Sequence, residues 1–256
     1  MSSDAMPAPG LPLFYKSPEP LRADLHAGLR LSTAPDFRFT ADTNAVPIMG
    51  GEFIAAGRFY PIVFAGEPLM PAVVLGLGAK NLFVNEEGLW AQPPGYIPAY
   101  VRRYPFTFIQ QDNNFILGID MACSRVLQSG ADYENAQPLF ADGGQPSQLI
   151  QECLRFCSAL QADHAATLEF AAALKAQDLL VEQNAQAVSE HGRQYRVQGF
   201  SVVDGARFQA LPDAVVLEWH RKGWLGLVYA HLASLQAWQD LVARTGAQEG
   251  QAPAAG

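Results

Sequence analysis

The sequence predicts an α+β fold in which a mostly antiparallel N-terminal sheet packs with C-terminal helices, and two observations carry this. Between residues 37 and 120 short aromatic or β-branched runs are broken by Gly, Pro or Asn, the pattern of brief strands joined by turns. From Ser147 the period changes, and Ile150, Cys153, Cys157, Leu160, His164, Leu168, Ala171 and Leu174 recur every three or four residues, the spacing of an amphipathic helix.

Taken in order, Phe37-Arg38-Phe39, Glu52 to Phe64, Ala72 to Leu77, Leu82 to Val84, Tyr104 to Ile109 and Phe115 to Ile119 read as strands. Asn85-Glu86-Glu87-Gly88 and Gln111-Asp112-Asn113-Asn114 supply the turn chemistry between neighbours, because Asn and Gly tolerate positive φ. The helical region reads as one helix or two, with Ser147 and Asp163 as N-cap candidates. Residues 183–194 are polar and read as a loop, and Tyr195 to Val203 returns to strand. Asp213 opens a helix behind Pro212 that Gly223 closes. Leu225, Val228, Leu232, Leu235 and Trp238 form the stripe of a last helix that ends near Gly246. Residues 1–10 and 246–256 read as disordered tails. Between them lie a β-rich half, 11–145, and a helical half, 146–245, of one compact unit.

The bulk numbers set limits. With 256 residues and 49 % hydrophobic content, a full core forms without disulfides or metals. A net charge of -8, and no basic run longer than Arg102-Arg103, argue against nucleic acid, whose binding requires a basic face. The first residues lack the basic and apolar regions of a signal peptide, and no apolar run approaches the ~20 residues of a membrane span. The sequence therefore places the chain in the cytoplasm unless a dedicated system exports it. Cys123, Cys153 and Cys157 are an odd, sparse set, read as free thiols in a reducing compartment.

No catalytic motif emerges. Gly76-Leu77-Gly78 lacks the third glycine of a dinucleotide loop, with Asn81 in its place. The histidines at 26, 164, 191, 220 and 231 show no metal-ligand spacing, so neither a metal nor another cofactor is expected. His164 and His231 fall beside apolar helix faces, the setting of a hydrogen-bonded core histidine. The stretch from Trp90 to Phe106 differs from the rest, with five aromatics, two arginines and four prolines in seventeen residues. Trp, Tyr and Arg are the anchors of protein interfaces, which makes Trp90, Tyr96, Arg102, Arg103 and Tyr104 candidates for partner binding. The structural alternative is a proline-braced connection whose aromatics plug the sheet.

From about residue 11 to 243 the chain resembles the SapC family. The resemblance rests on Phe59-Tyr60-Pro61-Ile62-Val63-Phe64, Leu75-Gly76-Leu77, Asn81-Leu82-Phe83, Gly88-Leu89-Trp90 and the run Tyr96 to Phe106. Leu139-Phe140, Gly199-Phe200, Val203-Asp204, Leu211-Pro212-Asp213 and the run Tyr229 to Leu235 continue it in order. It implies an association with a bacterial surface layer and a genomic neighbourhood of outer-membrane receptors, and it carries over no catalytic residues. The expected function is that of a non-enzymatic cytoplasmic accessory protein of a surface-layer or outer-membrane uptake system, binding a protein or peptide. The alternative is an enzyme acting on a peptide or small metabolite through residues such as Arg102, Arg103, Asp120 and His231.

Overall fold

The computed structural model describes residues 10–91, 95–112, 114–128 and 135–251. Along the chain come β1 (Pro18–Pro20), α1 (Ala23–His26), β2 (Arg30–Ser32), β3 (Ala45–Pro47), α2 (Phe53–Ala56), β4 (Ile62–Ala65) and β5 (Met70–Val74). Then follow α3 (Ala99–Arg102), β6 (Phe106–Gln111), β7 (Asn114–Asp120), β8 (Val126–Leu127), β9 (Ala136–Pro138) and α4 (Gln148–Ala176). The last elements are β10 (Leu180–Val188), β11 (Gln194–Val203), α5 (Gly205–Gln209), α6 (Asp213–Arg221), α7 (Trp224–Ser234) and α8 (Trp238–Gln251). The fold is α+β with antiparallel sheets, as the sequence predicts.

The chain divides into two compact units, Met1–Phe39 with Arg103–Ala159, and Thr40–Arg102 with Leu160–Gly256. Each unit draws on both sequence halves, so the division does not follow the expected boundary at residue 145, and α4 contributes to both.

The first unit holds two three-stranded sheets, β1-β7-β6 and β8-β2-β9. Leu31, Phe106, Ile119, Leu139 and Ile150 close its core. Asp120, fully buried, ties it together. Its carboxylate accepts the amides of Lys16 at 3.0 Å, Ser17 at 2.8 Å and Ala122 at 3.2 Å, and the Tyr104 hydroxyl at 3.1 Å. A buried carboxylate is stable only when so paired.

The second unit carries a five-stranded sheet, β10-β11-β4-β5-β3. At its centre β11 meets β4 at a single rung, Ser201 opposite Phe64. Phe53, Phe64 and Phe170 pack edge to face or tilted, at centroid distances of 6.1 to 6.4 Å, as the aromatic heart of the unit.

Several expected elements differ. Phe37 to Phe39 is no strand, because Asp36 Oδ1 accepts the Arg38 amide at 3.0 Å and turns the chain into a short 3-10 helix, Arg38–Thr40. Glu52 to Phe64 is extended only from Ile62; Glu52 closes a turn by accepting the Met49 amide at 2.8 Å, and α2 follows. Leu82 to Val84 makes one bridge, Val84 to Trp90. The expected loop at 183–194 is mostly the β10–β11 ribbon. Its polar side chains fill an exposed strand face, which is why it reads as a loop. α4 is one helix of 29 residues: Ser147 caps it, with Oγ 3.4 Å from the Ile150 amide, while Asp163 lies inside it. The single last helix is α7 and α8 joined by a 3-10 turn, Leu235–Ala237, and α8 runs past Gly246 to Gln251. The buried stripe of this region is Trp224, Val228, His231, Ser234, Ala237, Leu241 and Thr245. Of the expected stripe only Val228 belongs to it, and Leu225, Leu232, Leu235 and Trp238 are half-buried. The turn at Asn85–Gly88 forms as expected, with Gly88 at φ 81; Asn113 of the second turn lies outside the described residues.

Candidate functional site

The single rung between β11 and β4 has a consequence on each side. On one side α7 fills the split: the Val203 amide donates to His231 Nε2 and the Ile62 amide to Ser234 Oγ, each at 3.0 Å. On the other side no described residue fills it. β4 ends at Ala65 and turns through residues 66–69 into β5, whereas β11 runs on, bulging at Gly199, whose φ is 77. The result is a cleft of about 770 Å³ within the second unit.

Small residues create this space. Gly66 and Gly199 place no side chain in it, and on α4 Ala171 and Ala172 occupy the turn between Leu168 and Lys175. The i, i+3, i+4, i+7 spacing puts these four helix residues on one face. Phe64, Leu168, Ala171 and Phe200 make an apolar floor, with Phe200 tilted against Trp238 at 5.7 Å. Glu67, Lys175 and Glu182 stand exposed around the rim.

The buried ionisable groups lie elsewhere and are committed to the fold. Glu52 Oε1 accepts the Ala99 amide at 2.7 Å and the Tyr96 hydroxyl at 2.9 Å, while Oε2 holds Met49. Asp120 is enclosed by three amides and Tyr104. His231 is fully buried, and burial pushes its pKa down to about 4, so the neutral ring accepts the Val203 amide. It is the core histidine its helix position predicts, whereas His164 is exposed. The phenols of Tyr60 and Tyr104 are pushed up, chiefly by burial, the former to about 12. None of the three cysteines is bonded, and burial raises the Cys153 thiol to about 12. Burial raises the Cys157 thiol as well, so both Cys153 and Cys157 are protonated and unreactive at neutral pH. Among the described residues no group of His, Cys, Asp and Glu is placed to hold a metal ion.

The five residues expected to bind a partner fall in both units. Trp90, Tyr96 and Arg102 belong to the second; Arg103 and Tyr104 belong to the first. Trp90 and Tyr104 are buried. Trp90 donates to the Tyr60 hydroxyl at 3.0 Å, and Tyr104 stacks on Phe39 at 4.2 Å. Both therefore lie inside the fold and offer no exposed surface to a partner. Tyr96 and Arg102 come together, the guanidinium donating to the Tyr96 hydroxyl at 3.3 Å and to the Ile97 carbonyl at 3.0 Å. Arg103 is half-buried with its guanidinium 5.6 Å from the Tyr15 ring centre. Residues 92–94 of this stretch lie outside the described residues. Sequence reasoning missed the cleft. The available signal was the Gly66-Glu67-Pro68 turn together with Gly199 inside a strand, where glycine marks a bulge or a close approach.

The family model for SapC matches residues 21–241, most of the chain. The chain belongs to the SapC family. No curated protein and no solved structure matches it. Among the described residues no helix of this SapC protein is long and apolar enough to cross a membrane.

Proposed function

We propose that this SapC-family chain is a non-enzymatic binding protein whose cleft takes up a segment of a partner protein. The observation that carries this is the distribution of ionisable groups around the cleft. Its floor is apolar, its charges stand exposed at the rim, and the buried groups Glu52, Asp120 and His231 are each engaged by backbone amides. A catalytic site concentrates perturbed groups in its pocket, and here they lie outside it. The candidates for an enzyme, Asp120 and His231, serve as structural acceptors. Membership of the SapC family supports a role as a cytoplasmic accessory of a surface-layer or outer-membrane uptake system, and exposed Arg102, paired with half-buried Tyr96, is a further contact of the partner.

The test is site-specific photo-cross-linking in cells of the source organism. A photoreactive residue at Ala172, on the cleft, should give one discrete protein adduct, and the same residue at exposed Leu217 should not. No adduct from Ala172, or the same adducts from both positions, would overturn the reading.

A further inference from the structure

The cleft is ringed by three charges that nothing neutralises: among the described residues no ion pair involves Glu67, Lys175 or Glu182. Their placement is uneven. Both carboxylates stand on the sheet side, Glu67 on the β4–β5 turn and Glu182 on β10, and the ammonium stands on the helix side, on the last turn of α4. The sheet wall is therefore acidic, in a chain whose net charge is -8. That wall also holds β11, which continues past Ser201 to Gln194 where β4 has already ended. A strand edge left without a neighbouring strand presents backbone donors and acceptors to a guest chain.

Resting on the reading of the cleft as a partner-binding site, we propose that its occupant is a basic, extended segment of a protein. An apolar side chain of the segment sits on the floor between Phe64 and Phe200. Alternate residues, which point the other way along an extended chain, are Lys or Arg directed at Glu67 and Glu182. Its backbone runs beside β11 past the Ser201 rung, and Lys175 opposes cationic residues on the helix side. Complementary charge of this kind fixes register and selects against acidic segments.

The probe is a fluorescein-labelled pentapeptide, acetyl-Lys-Leu-Lys-Val-Lys-amide, compared by anisotropy with its Glu-Leu-Glu-Val-Glu counterpart and with a version N-methylated at alternate amides. The basic peptide should bind at least about tenfold more tightly than the acidic one and lose about tenfold on N-methylation. The exposed double variant Glu67→Lys, Glu182→Lys should reverse the preference while melting as the parent does. Equal binding of both charge types, an unchanged preference in the double variant, indifference to N-methylation, or binding by neither peptide overturns the proposal. Ala172→Trp, which fills the cleft from an exposed position, separates this from failure of the cleft itself. If the variant abolishes peptide binding but the charge preference is absent, the cleft binds peptides and the basic occupant is wrong. If a peptide binds and the variant leaves it unaffected, the cleft is not the site. If neither peptide binds, the adduct at Ala172 still judges the cleft alone.

Discussion

The amide of Val203 donates to His231 Nε2 at 3.0 Å in the place where a strand partner would stand. Ser201 faces Phe64, so two residues along the same register Val203 would face Ile62. Instead α7 inserts His231 and Ser234, which receive the two amides that the split leaves without a rung. A buried donor left unpaired costs about 1–3 kcal/mol, so these two polar side chains repair the sheet at the point where it divides.

Stability should therefore depend on pH through His231. Burial holds its pKa at about 4 in the folded state, opposed by the Ile62 backbone, against about 6.5 in an unfolded chain. Between these values the unfolded state binds a proton that the folded state refuses. The contribution is fully present above pH ~6.5 and is lost as pH falls towards 4, about 3 kcal/mol in all. Urea unfolding at pH 7, 5.5 and 4 should show this loss in the parent and a smaller one in His231→Gln, which keeps an acceptor but does not titrate. Equal pH slopes in the two proteins would refute the assignment.

Glu52 makes the second prediction. It is buried and accepts two amides and the Tyr96 hydroxyl. Glu52→Ala strands the Met49 and Ala99 amides and should cost about 2–5 kcal/mol. Glu52→Gln, retaining one carbonyl acceptor, should cost less. Chemical denaturation of both variants gives the ranking, and an alanine variant as stable as the parent would show that the staple contributes nothing.

What was legible in the sequence follows what each residue type advertises. The hairpin β6–β7 and helix α6 came through because period, turn chemistry and caps agree, as with Asp213 behind Pro212 and Gly223 at φ 74. The α7 stripe was misplaced because its buried face includes His231 and Ser234, whose polarity hides them from a hydrophobic pattern. Strand β10 was missed for a related reason, since residues such as Gln183 and Gln186 cover an exposed strand face. The cleft was illegible because it consists of missing side chains, at Gly66, Ala171, Ala172 and Gly199, brought together from three separate elements. The Trp90-to-Phe106 stretch was conspicuous for its composition, which does not distinguish a buried Trp90 from an exposed Arg102.

The rotated stripe yields a third prediction. Leu241 is fully buried, whereas Leu232 is half-buried. Leu241→Ala should cost about 2–5 kcal/mol, and Leu232→Ala should cost less because part of its side chain already meets water. Thermal or urea unfolding of the pair decides it. The reverse order would restore the stripe that the hydrophobic pattern alone suggests.

The adjacent arginines give the fourth. Arg102 is exposed and donates to Tyr96 and Ile97, both on its own short stretch of chain. Arg103 is half-buried over the Tyr15 ring, and its charge pulls the raised Cys157 thiol back down. A guanidinium on an aromatic face contributes through both charge and the packing of its stem, so Arg103→Ala should lower stability by about 1–2 kcal/mol. Arg102→Ala should stay within about 0.5 kcal/mol of the parent, as surface changes usually do. The same variants test the proposed contact of the Tyr96–Arg102 pair. With a photoreactive residue at Ala172, Arg102→Ala should weaken formation of the partner adduct without shifting the melting temperature. Arg103→Ala should shift melting yet leave the adduct intact at a temperature where the protein remains folded. If Arg102→Ala leaves the adduct yield unchanged, the pair is scaffold, and the cleft alone carries recognition.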